Sequence, residues 1–324
     1  MKVFITGGGG FLGLRLARTL RERGALTGRD GKAAPITQIK LLDTAFPGDV
    51  DPRLQRVQGD LADPGTIAAA LEPDTDSVFH LAAVVSAGAE ADFDLGMRVN
   101  LDGTRHLLDA IRRLEHPPRL VFASSVAAFG GELPAILDDS TTPKPQTSYG
   151  TQKVIGEYLI REFSRRGFVD GRCLRLPTIV VRPGKPNLAA SSFASAIFRE
   201  PLAGQGYDCP LPDSTGIWLL SPRKVTEAFV HAHELAASAW GTDRVVNLPG
   251  ITVTIRQGLA ALGRIAGEKV AERVRFKVDA RIKAIVDTWP VRFETPRALA
   301  MGFSADPDIE SVIRDHIREQ KIAV

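Results

Sequence analysis

Short apolar runs alternate with longer amphipathic stretches over the first two thirds of the 324-residue chain. The apolar runs at residues 2–6, 38–42, 54–57, 77–81, 120–123 and 172–176 predict strands. The stretches at residues 11–23, 94–114 and 148–166 carry apolar residues at helical spacing. Because strand and helix alternate regularly, the pattern predicts an α/β fold with a doubly wound parallel sheet that helices cover on both faces.

The pattern changes after residue 183, where prolines, glycines and short segments interrupt the chain. Helices are predicted again near residues 222–237 and 255–266. We therefore expect two domains, a larger one at residues 1–183 and a smaller C-terminal lobe at residues 184–324 that partly returns to the sheet. Residues 24–37 are expected to form a polar surface loop that is longer than the usual connection between a helix and a strand.

A glycine-rich turn follows the first strand, where residues 6–13 read TGGGGFLG and lead into the first helix. Gly7 is placed for the tight turn, Gly10 for close backbone approach to a pyrophosphate, and Gly13 for close packing of helix on strand. Phe11 and Leu12 begin the helix, whose free N–H groups favour a bound anion. Strand, turn and helix together predict a dinucleotide site.

Further candidate cofactor residues lie where later strands end. Asp43 ends the second strand, and a carboxylate there can accept hydrogen bonds from ribose hydroxyls. The same carboxylate repels a 2′-phosphate, so NAD is expected and NADP is disfavoured. Asp60 and Leu61 follow the third strand, and Ala82 and Ala83 follow the fourth. Carboxyl ends of parallel strands border one crevice, which is where ligands of open α/β sheets bind.

Tyr149 and Lys153 are four residues apart at the start of a predicted helix, so they share one face. A nearby ammonium favours the phenolate, and Lys153 is therefore expected to lower the pKa of Tyr149 and make it a usable base. Ser124 and Ser125 lie just past the fifth strand, where a hydroxyl can hold a substrate oxygen. This set predicts a hydride transfer with Tyr149 as the acid–base group.

These motifs resemble the extended short-chain dehydrogenase/reductase family, which is the NAD-dependent epimerase/dehydratase branch. The matching segments are TGGGGFLG, HLAA at residues 80–83, Asn100, SSVAAFG and SYGTQK. The resemblance implies a Rossmann-type sheet and a dimer formed by the two long helices. It also implies that Ser125, Tyr149 and Lys153 are catalytic, and that Leu176, Pro177 and Thr178 line the nicotinamide. Phe129 stands where the family usually has tyrosine.

Two features bear on the reaction. Val126 and Ala127 follow Ser125, whereas dehydratases of the family have an acidic pair there. The segments from Tyr149 to Arg223, together with ETPRALAMGFSADPD, are similar to those of the D-erythronate dehydrogenase subfamily. That similarity implies NAD-dependent oxidation of the 2-hydroxyl of a small sugar acid. A carboxylate needs a cation or hydrogen-bond donors, and the substrate candidates are Ser125, Tyr149, Asn187, Ser191, Ser192 and Arg199, with Arg199 preferred for the carboxylate.

Two alternatives stay open: a nucleotide-sugar 4-epimerase with tightly bound NAD, and a non-catalytic regulator that senses NAD. The net charge of +3, with both signs interspersed, gives no sign of a nucleic-acid partner. No apolar stretch approaches a membrane span, no secretory signal is recognised, and no metal site is expected. Two cysteines give no disulfide framework, so a cytoplasmic location is expected. The family resemblance implies a homodimer that acts on a sugar acid.

Overall fold

The computed structural model describes residues 1–184 and 191–324. Within those ranges the strands are, in chain order, β1 (Lys2–Thr6), β2 (Ala25–Thr27), β3 (Ala33–Pro35), β4 (Gln38–Asp43), β5 (Gln55–Gln58), β6 (Ser77–His80), β7 (Arg119–Ser125), β8 (Asp170–Leu176), β9 (Thr178–Ile179), β10 (Tyr207–Cys209), β11 (Gly216–Leu220), β12 (Val245–Asn247), β13 (Ile251–Thr254) and β14 (Val274–Phe276).

The helices of the same ranges are α1 (Phe11–Arg23), α2 (Pro64–Ala70), α3 (Ser86–Ala91), α4 (Phe93–Gly96), α5 (Gly103–Ile111), α6 (Ser148–Arg165), α7 (Ser192–Leu202), α8 (Pro222–Glu234), α9 (Ala237–Trp240), α10 (Ile255–Ala266), α11 (Glu268–Ala271), α12 (Ala280–Val286), α13 (Pro296–Ala300) and α14 (Ile309–Gln320). A π-helical segment, Met97–Asp102, joins α4 to α5. A 3₁₀ turn, Val126–Ala128, follows β7.

The central sheet confirms the predicted α/β class. In the described part of the chain it has seven strands in the order β12-β8-β7-β6-β1-β4-β5. The pairs from β7 through β6, β1 and β4 to β5 are parallel. Strand order reverses between β1 and β6, because the chain runs outward from β1 in one direction and later in the other. Such a reversal is the switch point at which open α/β sheets bind ligands.

The chain divides into two compact units that interleave along the sequence. The first comprises residues 1–128, 147–175 and 226–246, and the second comprises residues 129–146, 176–225 and 247–324. The division into a domain at residues 1–183 and a smaller lobe at residues 184–324 stays a prediction.

The core of the first unit lies between the sheet and its helices. Phe4, Val78 and Phe122 of three neighbouring strands pack with Leu107 of α5 and Ile160 of α6, and all five are at most 2% exposed. At about 25 cal/mol per Å² of buried apolar surface, such a layer stabilises the packing of α5 and α6 on the sheet. The helices that carry candidate site residues are therefore fixed on the sheet by apolar burial.

The second unit contains a three-stranded sheet in the order β13-β11-β9 and a parallel pair, β10 with β14. Its core is built from Phe193, Ile197 and Phe198 of α7 packed with Leu262 of α10 and Ile313 of α14. The helix predicted at residues 255–266 is confirmed as α10, whose first turn is closed by a capping box between Thr254 and Gln257.

The surface loop predicted at residues 24–37 is wrong, because β2 and β3 form an antiparallel hairpin there. Arg119, the first residue of β7, donates to the carbonyl oxygens of Thr27 at 2.7 Å and His233 at 2.9 Å. Glu234 accepts from the backbone N–H of Thr27 at 3.2 Å. These partners are distant in sequence, and they hold the hairpin at the amino ends of the sheet's strands.

Candidate active site

The glycine turn has the geometry that its spacing predicts. Gly7 has φ of +70°, and a Cβ there would lie 2.7 Å from the backbone nitrogen of Ala82. A Cβ on Gly13 would lie 2.1 Å from the carbonyl oxygen of Gly7, so the start of α1 packs directly on the turn. At Gly10 the nearest atom to a Cβ is 3.2 Å away. The space at Gly10 is thus bounded by less of the protein than the space at Gly7 or Gly13.

Helix α1 begins at Phe11, and no side chain caps its first turn. Its leading N–H groups, which include those of Phe11 and Leu12, form the positive end of the helix dipole beside the turn. Asp43 lies at the same turn, since its Oδ2 accepts from the backbone N–H of Gly9 at 2.9 Å. Anion-binding backbone and a carboxylate thus stand side by side, as a pyrophosphate joined to a ribose requires.

Asp60 lies just after β5, and its side chain contacts the π-helical segment that precedes α5. Its Oδ1 accepts from the backbone N–H of Ala62 at 2.9 Å, and its Oδ2 pairs with Arg98. Although burial raises the pKa of Asp60, these hydrogen bonds outweigh it and hold the pKa below its ordinary value. Leu61 is 5% exposed, and it packs against Gly103 at the start of α5.

Asn100 orders the chain that follows β6. Its Oδ1 accepts from the backbone N–H of Val84 at 2.8 Å, and its Nδ2 donates to the carbonyl oxygen of Val84 at 2.9 Å. The same Nδ2 donates to Gln152 Oε1 at 2.7 Å. Asn100 lies in the π-helical segment and thereby fixes the backbone just beyond Ala82 and Ala83.

A buried histidine connects the glycine turn to this segment. His80 accepts at Nδ1 from the Thr6 hydroxyl at 2.7 Å, and its Nε2 lies 2.9 Å from the Thr104 hydroxyl. Thr104 donates its own proton to the carbonyl oxygen of Asn100, so His80 must donate from Nε2. Burial lowers the pKa of His80 to about 3, and the charge of Lys153 adds to that effect. This neutral network was not foreseen from the sequence.

The predicted catalytic residues come together at the end of β7 and the start of α6. The Ser125 hydroxyl is hydrogen-bonded to the Tyr149 phenol. Lys153 Nζ lies 5.6 Å from the centroid of the Tyr149 ring and 4.6 Å from that of Phe122. The first turn of α6 is capped by the Thr147 hydroxyl, which accepts from the backbone N–H of Gly150 at 3.1 Å.

The expected effect of Lys153 on Tyr149 is corrected by the structure. Burial raises the pKa of Tyr149 to about 12, and the opposing influence is the Ser125 hydrogen bond. Burial also lowers the pKa of Lys153 to about 7, against the charge of Glu157, which raises it. Both groups leave water together, and each shift therefore disfavours the charged form. Spacing in the sequence gives the neighbours of a group but gives no measure of its burial.

Two buried residues beneath this cluster were missed by the sequence analysis. Glu157 accepts from the Ser124 hydroxyl at 2.5 Å, from Arg175 Nε at 2.9 Å and from Arg175 Nη2 at 2.7 Å. A signal existed for Glu157, because it follows Lys153 by four residues on a predicted helix. Arg175 follows no such spacing, and its position emerges only from the pairing of β8 with the rest of the sheet.

The remaining predicted residues belong to the second unit. Leu176 ends β8, Pro177 follows it, and Thr178 begins β9, where it pairs with Leu219. Ser191 and Ser192 lie at the start of α7. Asn187, predicted as a substrate ligand, lies outside the described residues.

Arg199 is occupied within the second unit. Its Nε and Nη2 donate to Glu200 Oε1 at 2.9 and 2.6 Å, and its Nη1 donates to the carbonyl oxygen of Arg182 at 2.9 Å. The side chain of Arg199 is 10% exposed. Two of the five N–H groups of a guanidinium remain beyond these contacts.

Residues 1–184 and 191–324 hold no group of three or more His, Cys, Asp or Glu side chains arranged to bind a metal ion. In those same ranges no helix has the length and apolar character needed to cross a membrane.

A family model for the NAD-dependent epimerase/dehydratase family matches residues 3–240. The chain belongs to this family. The glycine turn, the strand-end Asp43 and the cluster of Ser125, Tyr149 and Lys153 all lie within the matched range. The uncapped start of α1 and the space at Gly10 fit NAD, the dinucleotide on which the family depends.

Two relatives with curated names cover all or nearly all of the chain. A protein named D-erythronate dehydrogenase from Cupriavidus necator is 54% identical over 324 residues, which is 100% of both chains. Another of that name, from Haemophilus influenzae, is 44% identical over 98% of this chain and 99% of its own. A solved structure described as a nucleoside-diphosphate-sugar epimerase from Agrobacterium tumefaciens has a TM-score of 0.92 and 40% identity, covering 99% of this chain and 94% of that one.

The glycine turn yields a prediction that separates binding from folding. Gly10→Ala should weaken NAD binding by tenfold or more, because the methyl group enters the space left for the pyrophosphate, while the free energy of unfolding falls by less than about 1 kcal/mol. Calorimetric titration with NAD and urea unfolding measure the two effects.

Gly48→Ala is the matched control for this prediction, since a Cβ there meets no atom within 4 Å. It should leave NAD binding and stability unchanged. NAD affinity in Gly10→Ala equal to that of the unaltered protein would contradict the assignment of this turn.

Proposed function

We propose that this protein oxidises the 2-hydroxyl of D-erythronate to 2-oxo-tetronate with NAD as hydride acceptor. The observation that carries the proposal is the hydrogen-bonded pair of Ser125 and Tyr149 beside Lys153. Full-length relatives at 54% and 44% identity that are named for this activity support the choice of substrate. Val126 and Ala127 after Ser125 offer no acid for dehydration.

In the proposed mechanism Ser125 holds the substrate hydroxyl and Tyr149 removes its proton. Bound NAD would accept the hydride from the carbon that carries this hydroxyl. Lys153 stays charged below its pKa of about 7 and stabilises the phenolate that must form. Because burial raises the pKa of Tyr149 to about 12, the phenolate needs a positive charge nearby to form. Turnover should therefore rise as the pH increases from acid toward neutral, since a higher pH favours loss of the phenol proton.

The proposed cofactor is NAD and not NADP. Asp43 lies at the glycine turn with its Oδ2 bonded to Gly9 and its Oδ1 to Thr44 at 2.8 Å. The negative charge of Asp43 at this position repels a 2′-phosphate. Gly7, Gly10, Gly13 and the first residues of α1 would hold the pyrophosphate, and Lys153 with Leu176, Pro177 and Thr178 would hold the nicotinamide ribose and ring.

The epimerase alternative keeps one supporting observation, the solved structure at 40% identity that is described as a nucleoside-diphosphate-sugar epimerase. Such an enzyme retains its cofactor through the cycle and releases no NADH. Net NADH production therefore separates the two functions.

The first prediction for this function concerns NADH formation with D-erythronate, L-threonate and glucuronate. D-erythronate should be turned over with NAD, and Tyr149→Phe should lower kcat at least a thousandfold while it still binds NAD, because the phenol acts on the proton and not on the cofactor. Absorbance of NADH and calorimetric NAD binding provide the measurements, and the assay is repeated with NADP.

Tyr158→Phe is the matched control, because Tyr158 lies on the same helix outside the catalytic cluster and the change keeps its aromatic ring at the surface. Its kcat should equal that of the unaltered enzyme. Absence of NADH with every sugar acid would refute the dehydrogenase and favour the epimerase, whereas undiminished turnover in Tyr149→Phe would refute the base.

For the substrate carboxylate we propose Arg199, with Ser191, Ser192 and Asn187 toward the hydroxyls. Glu200 competes for the same guanidinium in the structure. Arg199→Gln should raise the KM for D-erythronate about ten- to a hundredfold, the value of a hydrogen bond to a charged group, and leave the KM for NAD within twofold. Steady-state kinetics with each substrate varied in turn measure both constants.

Glu200→Gln tests the same proposal in the opposite direction. Removal of the competing carboxylate frees Arg199, so the KM for D-erythronate should fall. If Arg199 only braces the carbonyl oxygen of Arg182, both variants lose stability and neither changes the ratio of the two KM values, which would overturn the assignment.

We propose further that the protein works as a cytoplasmic homodimer. Both cysteines, Cys173 and Cys209, are free and buried, as suits a reducing compartment. The family resemblance assigns residues 94–114 and 148–166 to a four-helix interface. Tyr158 on the second of these segments is 60% exposed, and Phe93, which directly precedes the first, is 58% exposed. Exposed aromatic side chains are typical anchors of such interfaces.

The dimer proposal predicts the effect of one charge on that surface. Tyr158→Asp should convert a dimer into a monomer of 35.0 kDa, because a buried unpaired carboxylate opposes association. Sedimentation velocity measures the mass. Phe276→Asp is the control, since Phe276 is 47% exposed in the second unit. A dimer that persists in Tyr158→Asp, or a monomer in the unaltered protein, would contradict the proposal.

A further inference from the structure

Glu157 is a buried carboxylate that the proposed hydride transfer leaves without a role. It lies on α6 four residues after Lys153 and eight after Tyr149, so all three lie along one face of the helix. Its side chain is only 3% exposed. A carboxylate so far removed from water is costly unless its charge and its oxygen atoms are fully satisfied.

The contacts of Glu157 connect three elements of the first unit. One oxygen, Oε1, accepts from the Ser124 hydroxyl of β7 at 2.5 Å and from Arg175 Nε of β8 at 2.9 Å. The other, Oε2, accepts from Arg175 Nη2 at 2.7 Å. The pair with Arg175 is bidentate, which fixes orientation as well as distance. Glu157 thereby joins α6 to the carboxyl ends of two adjacent strands.

Ser124 and Ser125 place this joint next to the reacting groups. Ser124 bonds to Glu157, and the next residue, Ser125, bonds to Tyr149 on the same helix. The two contacts on α6 are eight residues apart, which is about 12 Å along a helix axis. Two separated contacts between one strand end and one helix fix both the distance and the register of Ser125 against Tyr149.

The charge of Glu157 acts on Lys153. The ionisable groups beside Lys153 are Tyr149 and Glu157 on α6, Cys173 on β8, and His80 on β6. His80 is neutral at ordinary pH, and burial keeps the Cys173 thiol protonated. Glu157 is therefore the anion among these groups that favours the ammonium form of Lys153, while Arg175 balances Glu157 itself.

We propose that Glu157 is a positioning residue for the oxidation proposed above, on which this inference rests. It holds the helix of Tyr149 and Lys153 against the strand of Ser125, and its negative charge retains the proton of Lys153. The prediction concerns pH, because Lys153 supports the phenolate only while it is charged. Loss of the neighbouring anion lowers the pH at which Lys153 loses its proton.

The test is the pH profile of kcat/KM for D-erythronate with Glu157→Gln, which keeps the shape of the side chain and removes the charge. The alkaline limb should move about one pH unit lower, which corresponds to a roughly tenfold lower kcat/KM above the limb. NAD affinity, measured by calorimetry across the same pH range, should show the same displacement, because Lys153 is proposed to bind the nicotinamide ribose.

Two variants separate charge from structure. Glu157→Asp retains the charge with a shorter reach, so it should keep the alkaline limb in place while kcat falls. Glu162→Gln is the matched control, since Glu162 is an exposed residue of the same helix that pairs with Arg165 at 2.7 Å, and it should change nothing. If Glu157→Gln does not fold, Glu157→Gln combined with Arg175→Met replaces it, because that variant leaves no unpaired buried charge.

The outcomes distinguish this inference from the proposed function. An alkaline limb that is unmoved in a folded Glu157→Gln protein overturns the inference even when the unaltered enzyme oxidises D-erythronate. If the unaltered protein oxidises no sugar acid, the proposed function fails, and the pH dependence of NAD affinity then decides on Glu157: a displaced dependence supports the inference, and an identical one overturns it.

Discussion

The burial of the Lys153 ammonium is the constraint on which the arrangement of the first unit depends. An ammonium at 3% exposure loses its hydration, and neither the face of Phe122 nor the phenol of Tyr149 replaces a full counter-charge. Glu157 supplies that charge, yet it needs Arg175 and Ser124 to be stable itself. One buried cation thus requires a series of partners that runs from α6 through the ends of β7 and β8.

A second series of contacts also joins the carboxyl ends of neighbouring strands. Thr6, His80, Thr104 and Asn100 form a neutral chain of hydrogen bonds from β1 through β6 to the π-helical segment. Each hydroxyl in it has one proton to give, so the direction of every bond is determined. The glycine turn and the backbone after β6 are thereby held by polar groups that carry no charge.

The central sheet, the glycine turn and the Tyr149–Lys153 pair could be predicted from the sequence because each depends on a local pattern. The parallel strands are apolar runs, the turn at Gly7 needs a residue that tolerates positive φ, and Tyr149 and Lys153 follow helical spacing. The failures share a different cause. The hairpin at residues 25–35 depends on Arg119 and Glu234, which lie far away in the chain, and the predicted helix at residues 94–114 contains a π-helical segment that a period of 3.6 does not reveal. The pKa of Tyr149 depends on burial, which spacing does not report.

The interleaving of the two units has a consequence for synthesis on the ribosome. The first unit closes only when residues 226–246 have emerged, since most of α8 and most of the edge strand β12 come from that stretch. By then residues 176–225, which belong to the other unit, have already been synthesised. Until that point β8 has an open edge, and an unpaired edge is a template for association with other chains. The growing chain therefore passes through a period of exposure that a consecutive arrangement of the same two units would avoid.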